Sequence, residues 1–277
     1  MDYSLSMPNT RTVSPSARIN LKQIVLPTEH GSWGFLFEPI VVALAIGPSV
    51  SGLAIAVMTI GAFLSRQPLK VLIIDRLGQK NNARARAAVT FLLLFAAISA
   101  AGFASTLFLT GLRPLMPFIL VLPFAAVQIY FDGSRKSRGL LPELLGGVSI
   151  SASSAAIMLA SGASDFAAAA LWILMIARLI PSIIYIRNRL RLEKGKDHSL
   201  RQPIAVHSIA VLAAVILAYY GGVPWLAVAA MAMLLFRAVN GLSPTRKKLK
   251  AMQIGVLEVV YGAVLVLAVV VGHYIGI

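Results

Sequence analysis

The sequence contains no cysteine. That excludes disulfides, thiolate nucleophiles and cysteine metal sites, and it leaves no mark of the redox compartment. Charge is scarce as well. Charged residues are 13% of the 277 and hydrophobic residues 58%, with a mean hydropathy of +0.83. A water-soluble chain of this length needs far more polar side chains to cover its core. Alternating apolar and polar residues of the kind that build a membrane β-barrel are missing. No His-x-x-x-His or carboxylate–histidine spacing suits a metal ion. The first 26 residues are polar and serine-rich, carry Pro8 and Pro15, and lack the apolar core of a cleavable signal. They read as a disordered or surface-lying cytoplasmic tail, ahead of a transmembrane domain over 27–277.

What the sequence has is long apolar runs. Windows near 32–48, 51–72, 87–109, 114–131, 144–162, 166–186, 203–221, 223–239 and 253–274 predict nine spans. The expected fold class is therefore all-α, a polytopic bundle of about nine transmembrane helices. Residues 39–65 carry no charge and could be one long span. A single span would place the cations from Arg66 to Arg86 opposite the basic tail, so the positive-inside rule favours a break at Gly47-Pro48-Ser49. With that break, every Lys and Arg except Arg113 and Arg178 falls on one side. The expected placement is the cell membrane, with the N-terminus cytoplasmic and the C-terminus outside. The net charge of +15 then reflects topology and contact with anionic phospholipid at the cytoplasmic face, not nucleic acid.

One stretch organises the rest. From Trp172 to Arg201 an apolar helix leaves the membrane as a run of cations, and Arg178 lies midway between Phe166 and Arg189. An arginine at mid-bilayer costs about 2.5–3.5 kcal/mol on insertion scales, so it should be paired, wetted or used. Arg178, Tyr185 and Arg189 share a helix face, with Pro181 between them expected to kink it. Three carboxylates, Glu38, Glu143 and Glu258, lie in or at the edge of apolar spans. They read either as parts of one polar chamber or as structural counter-ions. His30, beside Glu29, is a candidate proton mover or an interfacial anchor next to Trp33. His207 and His273 read as packing residues. The basic clusters 84–86 and 246–250 read as lipid-headgroup contacts. The small residues from Gly146 to Ala156 suit close helix packing.

The segment Pro27-Thr-Glu-His-Gly-Ser-Trp-Gly, the pair Glu38-Pro39, and Tyr185-Ile-Arg-Asn-Arg-Leu-Arg resemble the YwiC-like family of integral membrane proteins. The resemblance runs from about residue 27 to the end. That family is similar in turn to the UbiA superfamily of intramembrane prenyltransferases. Tyr130, Arg135-Lys136 and Leu145-Gly146 look like that superfamily's Tyr…Lys-Arg…Leu-Gly stretch, and Trp172 with Ile184-Tyr185 like its Trp…Ile-Tyr stretch. The resemblance implies nine helices around an inward-facing polar mouth and transfer of an isoprenoid group. The superfamily's two aspartate motifs, which hold Mg²⁺ against a prenyl diphosphate, do not carry over. The first region reads Arg66-Gln-Pro-Leu-Lys70 and the second Arg189-Leu-Arg-Leu-Glu193. Cations cannot ligate Mg²⁺, so no metal and no other cofactor is expected.

Arginine forks bind phosphate or carboxylate without a metal. The expectation is a substrate-binding mouth of Arg66, Lys70, Arg135, Arg178, Arg187 and Arg189, with Tyr130 and Tyr185, under an apolar cavity. Its partner would be a membrane lipid or isoprenoid amphiphile with an anionic head. His30, Glu38 and Glu143 are the catalytic candidates if the protein is a transferase. The alternatives are a binding or transport protein without chemistry, and a structural membrane component. The oligomeric state is not legible.

Overall fold

The computed structural model describes residues 21–26, 30–77, 82–134 and 139–277. Among the described residues there is no β-strand. The helices are α1 (Leu21–Val25), α2 (His30–Ile46), α3 (Val50–Leu77), α4 (Asn82–Thr110), α5 (Met116–Gly133), α6 (Leu140–Ala160), α7 (Asp165–Glu193), α8 (Arg201–Tyr219), α9 (Trp225–Leu242) and α10 (Ala251–Ile275). Eight of them, α3 to α10, are long and apolar enough to cross a membrane, and the apolar part of α2, Trp33–Ile46, is shorter. This is a multi-pass membrane protein with an all-helical bundle. The nine expected spans correspond one for one to α2–α10.

Local chemistry sets the helix ends. The chain does break after Ile46: the Ser49 hydroxyl accepts from the Gly52 N–H at 2.9 Å and so caps α3. Ser164 caps α7 in the same way, accepting from Ala167 at 3.1 Å. Gly111 and Gly221, at φ 72° and 73°, follow α4 and α8 in the left-handed region that a side chain would strain. Pro181 does not end α7, which runs as one helix from Asp165 to Glu193.

The tail expected over the first 26 residues ends in structure. The short α1 packs on α3 and α4, and Ile24 is buried with Val71 and Ala88. Residues 1–20 lie outside the described residues.

Helices α2, α6, α7, α8, α9 and α10 pack each on the next and close a ring, while α3 and α5 flank α6 and α4 backs onto α3. Close approach is made possible by small residues. On α6, Gly146, Gly147, Ser151, Ala152, Ser153 and Ser154 are all buried. A side chain at Gly61 or Gly102 would meet the backbone of the opposite helix in the α3–α4 pair. The ring is not filled uniformly. Leu36, Ile40, Ile157, Leu174, Met231 and Leu265 belong to one apolar core. The ionised side chains lie apart from it, on faces that the next section describes.

Candidate functional site

Five helices of the ring contribute polar side chains to a buried network. Arg178 of α7 is at its centre, only 1% exposed. Its Nε lies 3.4 Å from Glu38 Oε2 of α2, and its Nη1 3.6 Å from Glu258 Oε2 of α10. The guanidinium also donates to the Glu258 backbone carbonyl at 3.1 Å and to the Ser182 hydroxyl one turn along its own helix. Arg237 of α9 donates to Glu258 Oε1 from one amino group and contacts His207 Nε2 of α8 at 3.2 Å with the other. Arginine has no acceptor, so that ring nitrogen accepts. The His207 proton therefore sits on Nδ1, which donates to the Pro203 carbonyl at 2.7 Å, and the imidazole is neutral. Two arginines face two carboxylates, so the network is balanced without an ion. Glu38 reaches it only because Gly262 of α10 is a glycine, since a Cβ there would overlap the Glu38 carboxylate.

The network opens at one end into a cleft of about 420 Å³ between α7, α9 and α10. Arg237 and Glu258 form its inner wall, and Arg189, Arg246 and Lys247 its mouth. Tyr185 and Tyr261 flank the innermost cation: the Arg237 guanidinium lies 4.3 Å from the centre of the first ring and 5.1 Å from that of the second. Arg189 is fixed by three bonds, to Glu193 at 2.7 Å, to the Gly241 carbonyl, and to the Lys247 carbonyl at 2.6 Å. The Lys247 carbonyl ties the 243–250 loop to Arg189, and the Gly241 carbonyl ties the end of α9 to it. Phe236 and Leu257, 68% and 39% exposed, line the same cleft.

Among the described residues Arg237 Nε is buried without a hydrogen-bond partner, while Arg246 Nε faces Glu193 Oε1 at 3.4 Å and Glu258 Oε2 faces Arg178 at 3.6 Å. A buried N–H without an acceptor costs free energy, and here Arg237, which lines the cleft, carries one.

The single mouth expected from the sequence is divided. Tyr185 and Arg189 line the cleft, and Arg178 lies directly behind its inner wall. Arg66 does not join them. It is bound through two bonds, at 2.6 and 3.0 Å, to Asp132 of α5, which is 2% exposed, and Lys70 lies 3.9 Å from the same carboxylate. Arg187 pairs with Glu143 at 2.7 Å. Tyr130 is 70% exposed and points away from the bundle. Glu38 and Glu143, the two carboxylates expected to act in catalysis, are each held by an arginine. The His30 side chain and Arg135 lie outside the described residues. Among the described residues no three acid or histidine side chains cluster as a metal site.

Three members of these clusters escape sequence reasoning. Arg237 reads as one of the cations gathered on the cytoplasmic side around 237–250, whereas α9 continues to Leu242 and buries it. His207 reads as packing, because nothing in its span signals an arginine on the neighbouring helix. Asp132 does leave a trace: it stands one turn beyond Gln128 on an otherwise apolar helix, and both are buried.

A family model described as YwiC-like protein matches residues 26–160. Over those residues the chain is similar to the YwiC-like family. No curated protein and no solved structure matches the chain. The YwiC-like segment runs through α2–α6 and supplies Glu38 and the Arg66–Asp132 pair. The cleft itself is built from α7, α9 and α10, which follow that segment.

Proposed function

We propose that this protein binds an amphiphile, an isoprenoid or lipid with an anionic head group, in the cleft between α7, α9 and α10, without a metal ion. The observation that carries the reading is one cleft lined by four cations, with the buried Arg237 Nε lacking a hydrogen-bond partner among the described residues. Charge supports it. Arg189, Arg237, Arg246 and Lys247 line the space. Glu258 lines it too, and Glu193 reaches two of these arginines from outside the lining, so cations exceed acids by two. A head group with one or two negative charges would be matched there by forked donors. The exposed Phe236 and Leu257 give an apolar chain a side exit towards lipid. By the positive-inside rule the mouth faces the cytoplasm, in the cell membrane, with the N-terminus on the same side.

Transfer chemistry is a second reading and rests on one feature. Glu258 is the acid among the lining residues, and its Oε2 has no hydrogen-bond partner, so it is the group that could exchange a proton with a bound molecule. Binding is the function we carry forward.

The test uses purified full-length protein in maltoside micelles, titrated calorimetrically with monododecyl phosphate and, as a zwitterionic control, dodecylphosphocholine. Saturable binding of the phosphate, at least tenfold tighter than the control and lost in Arg246→Ala/Lys247→Ala, is expected. Equal binding of both amphiphiles, or full binding by the double variant, overturns the reading.

A further inference from the structure

Glu258 belongs both to the cleft and to the buried network, and the two roles conflict once an anion arrives. Its Oε1 accepts from Arg237, while its Oε2 has no hydrogen bond and lies 3.6 Å from Arg178. The Arg178 donors are already directed elsewhere, to Ser182, to the Glu258 backbone and, at 3.4 Å, to Glu38. Among the described residues, Arg237 therefore supplies the only side-chain hydrogen bond that Glu258 has. Arg237 also lines the cleft, and its buried Nε has no hydrogen-bond partner among the described residues.

Besides Arg237, Arg178 is the cation within ion-pair distance of Glu258 among the described residues, and Arg189, Arg246 and Lys247 line the same cleft without an ion pair to it. From α2 comes Glu38, a like charge; from α7 come Arg178 and the Tyr185 hydroxyl; from α9 comes Arg237. Tyr261 stands on its own helix, and His207 of α8 touches Arg237 from behind as a neutral acceptor. Arg189 and Arg246 at the mouth both engage Glu193. An anion on Arg237 Nε would place three negative groups around two buried arginines. A charge left uncompensated at this depth is removed most cheaply by a proton.

We infer that an anion entering the cleft shares or takes Arg237 from Glu258, and that Glu258 then takes up a proton from solvent through the cleft mouth. The step is a simple addition of one proton to one carboxylate oxygen, Oε2 being the one with no donor to give up. Anion and proton bind together, so the buried network keeps its neutrality in the loaded state. This rests on the anion-binding reading above and adds its proton linkage.

Infrared difference spectroscopy of full-length protein, with and without saturating monododecyl phosphate, reads the carboxyl directly. A new protonated-carboxyl stretch should appear on loading the wild-type protein and be absent from Glu258→Gln. Calorimetry of the same titration, in buffers of different ionisation enthalpy, should show the wild type absorbing about one proton more than Glu258→Gln, the probe's own titration being common to both. If Glu258→Gln does not fold, Glu38→Gln decides: the band must persist in it. Binding without a new band, a band that survives Glu258→Gln, or a band lost in Glu38→Gln overturns the linkage while leaving anion binding intact. Absence of binding in the wild type strikes the parent reading instead.

Discussion

Replacing Arg178 with methionine is the perturbation that bears hardest on the buried network. The wild-type balance is two arginines, Arg178 and Arg237, against Glu38 and Glu258. Arg178→Met fills similar space but leaves one arginine to serve two carboxylates, and Glu38 keeps no partner among the contacts described. Breaking a buried pair by removing one member costs about 3–5 kcal/mol, because the other member stays buried and charged. Glu38→Gln removes the smaller share, about 1–3 kcal/mol, since Arg178 retains Glu258 and Ser182. The double variant Arg178→Met/Glu38→Gln restores neutrality and should be more stable than Arg178→Met alone, with a coupling energy of about 2 kcal/mol. Reversible unfolding by SDS in mixed micelles, followed by circular dichroism, measures all three. Simple additivity of the two single losses would show that Arg178 and Glu38 do not compensate each other, and the network argument would fall with it.

Four further outcomes follow from particular contacts. Gly262→Ala should displace the Glu38 carboxylate and lower stability by about 1–3 kcal/mol, whereas Gly255→Ala, with open space around it, should be neutral or gain about 0.5–1 kcal/mol in the same unfolding assay. At Gly241 an added Cβ would overlap the Tyr185 hydroxyl and crowd Arg189; Gly241→Ala should therefore weaken monododecyl phosphate binding at least tenfold in protein that still purifies as a single species. Asp132→Ala leaves Arg66 and Lys70 facing each other without their shared acid, and should cost about 3–5 kcal/mol, while the milder Asp132→Asn should cost less. The chain contains no native cysteine, so single cysteines report topology without background. A membrane-impermeant maleimide added to intact cells should label Arg113→Cys and spare Ser199→Cys, and the reverse pattern would invert the proposed orientation.

Much of the architecture was legible because a bilayer imposes it. Apolar length fixes which segments span, and the side preferred by cations fixes how they alternate, so the break after Ile46 could be placed from charge alone before Ser49 was seen to cap α3. Arg178 was equally legible, since an arginine at mid-span needs a partner wherever the helix goes. Its partners were not. Helical periodicity says which residues share a face of one helix, and nothing in it says which helix that face meets.

That division explains where the sequence reading and the fold part company. Arg66, Arg178 and Arg189 look alike as cations near the ends or middle of spans, yet packing gives each a different acid: Asp132, Glu38 with Glu258, and Glu193. Span number, the apolar core and the need to neutralise a buried arginine are properties of the chain in hydrocarbon, and the sequence by itself determined them. Which charges meet, that Arg237 is drawn inward with His207 behind it, and that its Nε is left without a hydrogen bond depend on how α7, α8, α9 and α10 close against α2. Side-chain pairing across helices is a long-range contact with no local signature, so only the tertiary structure could decide it.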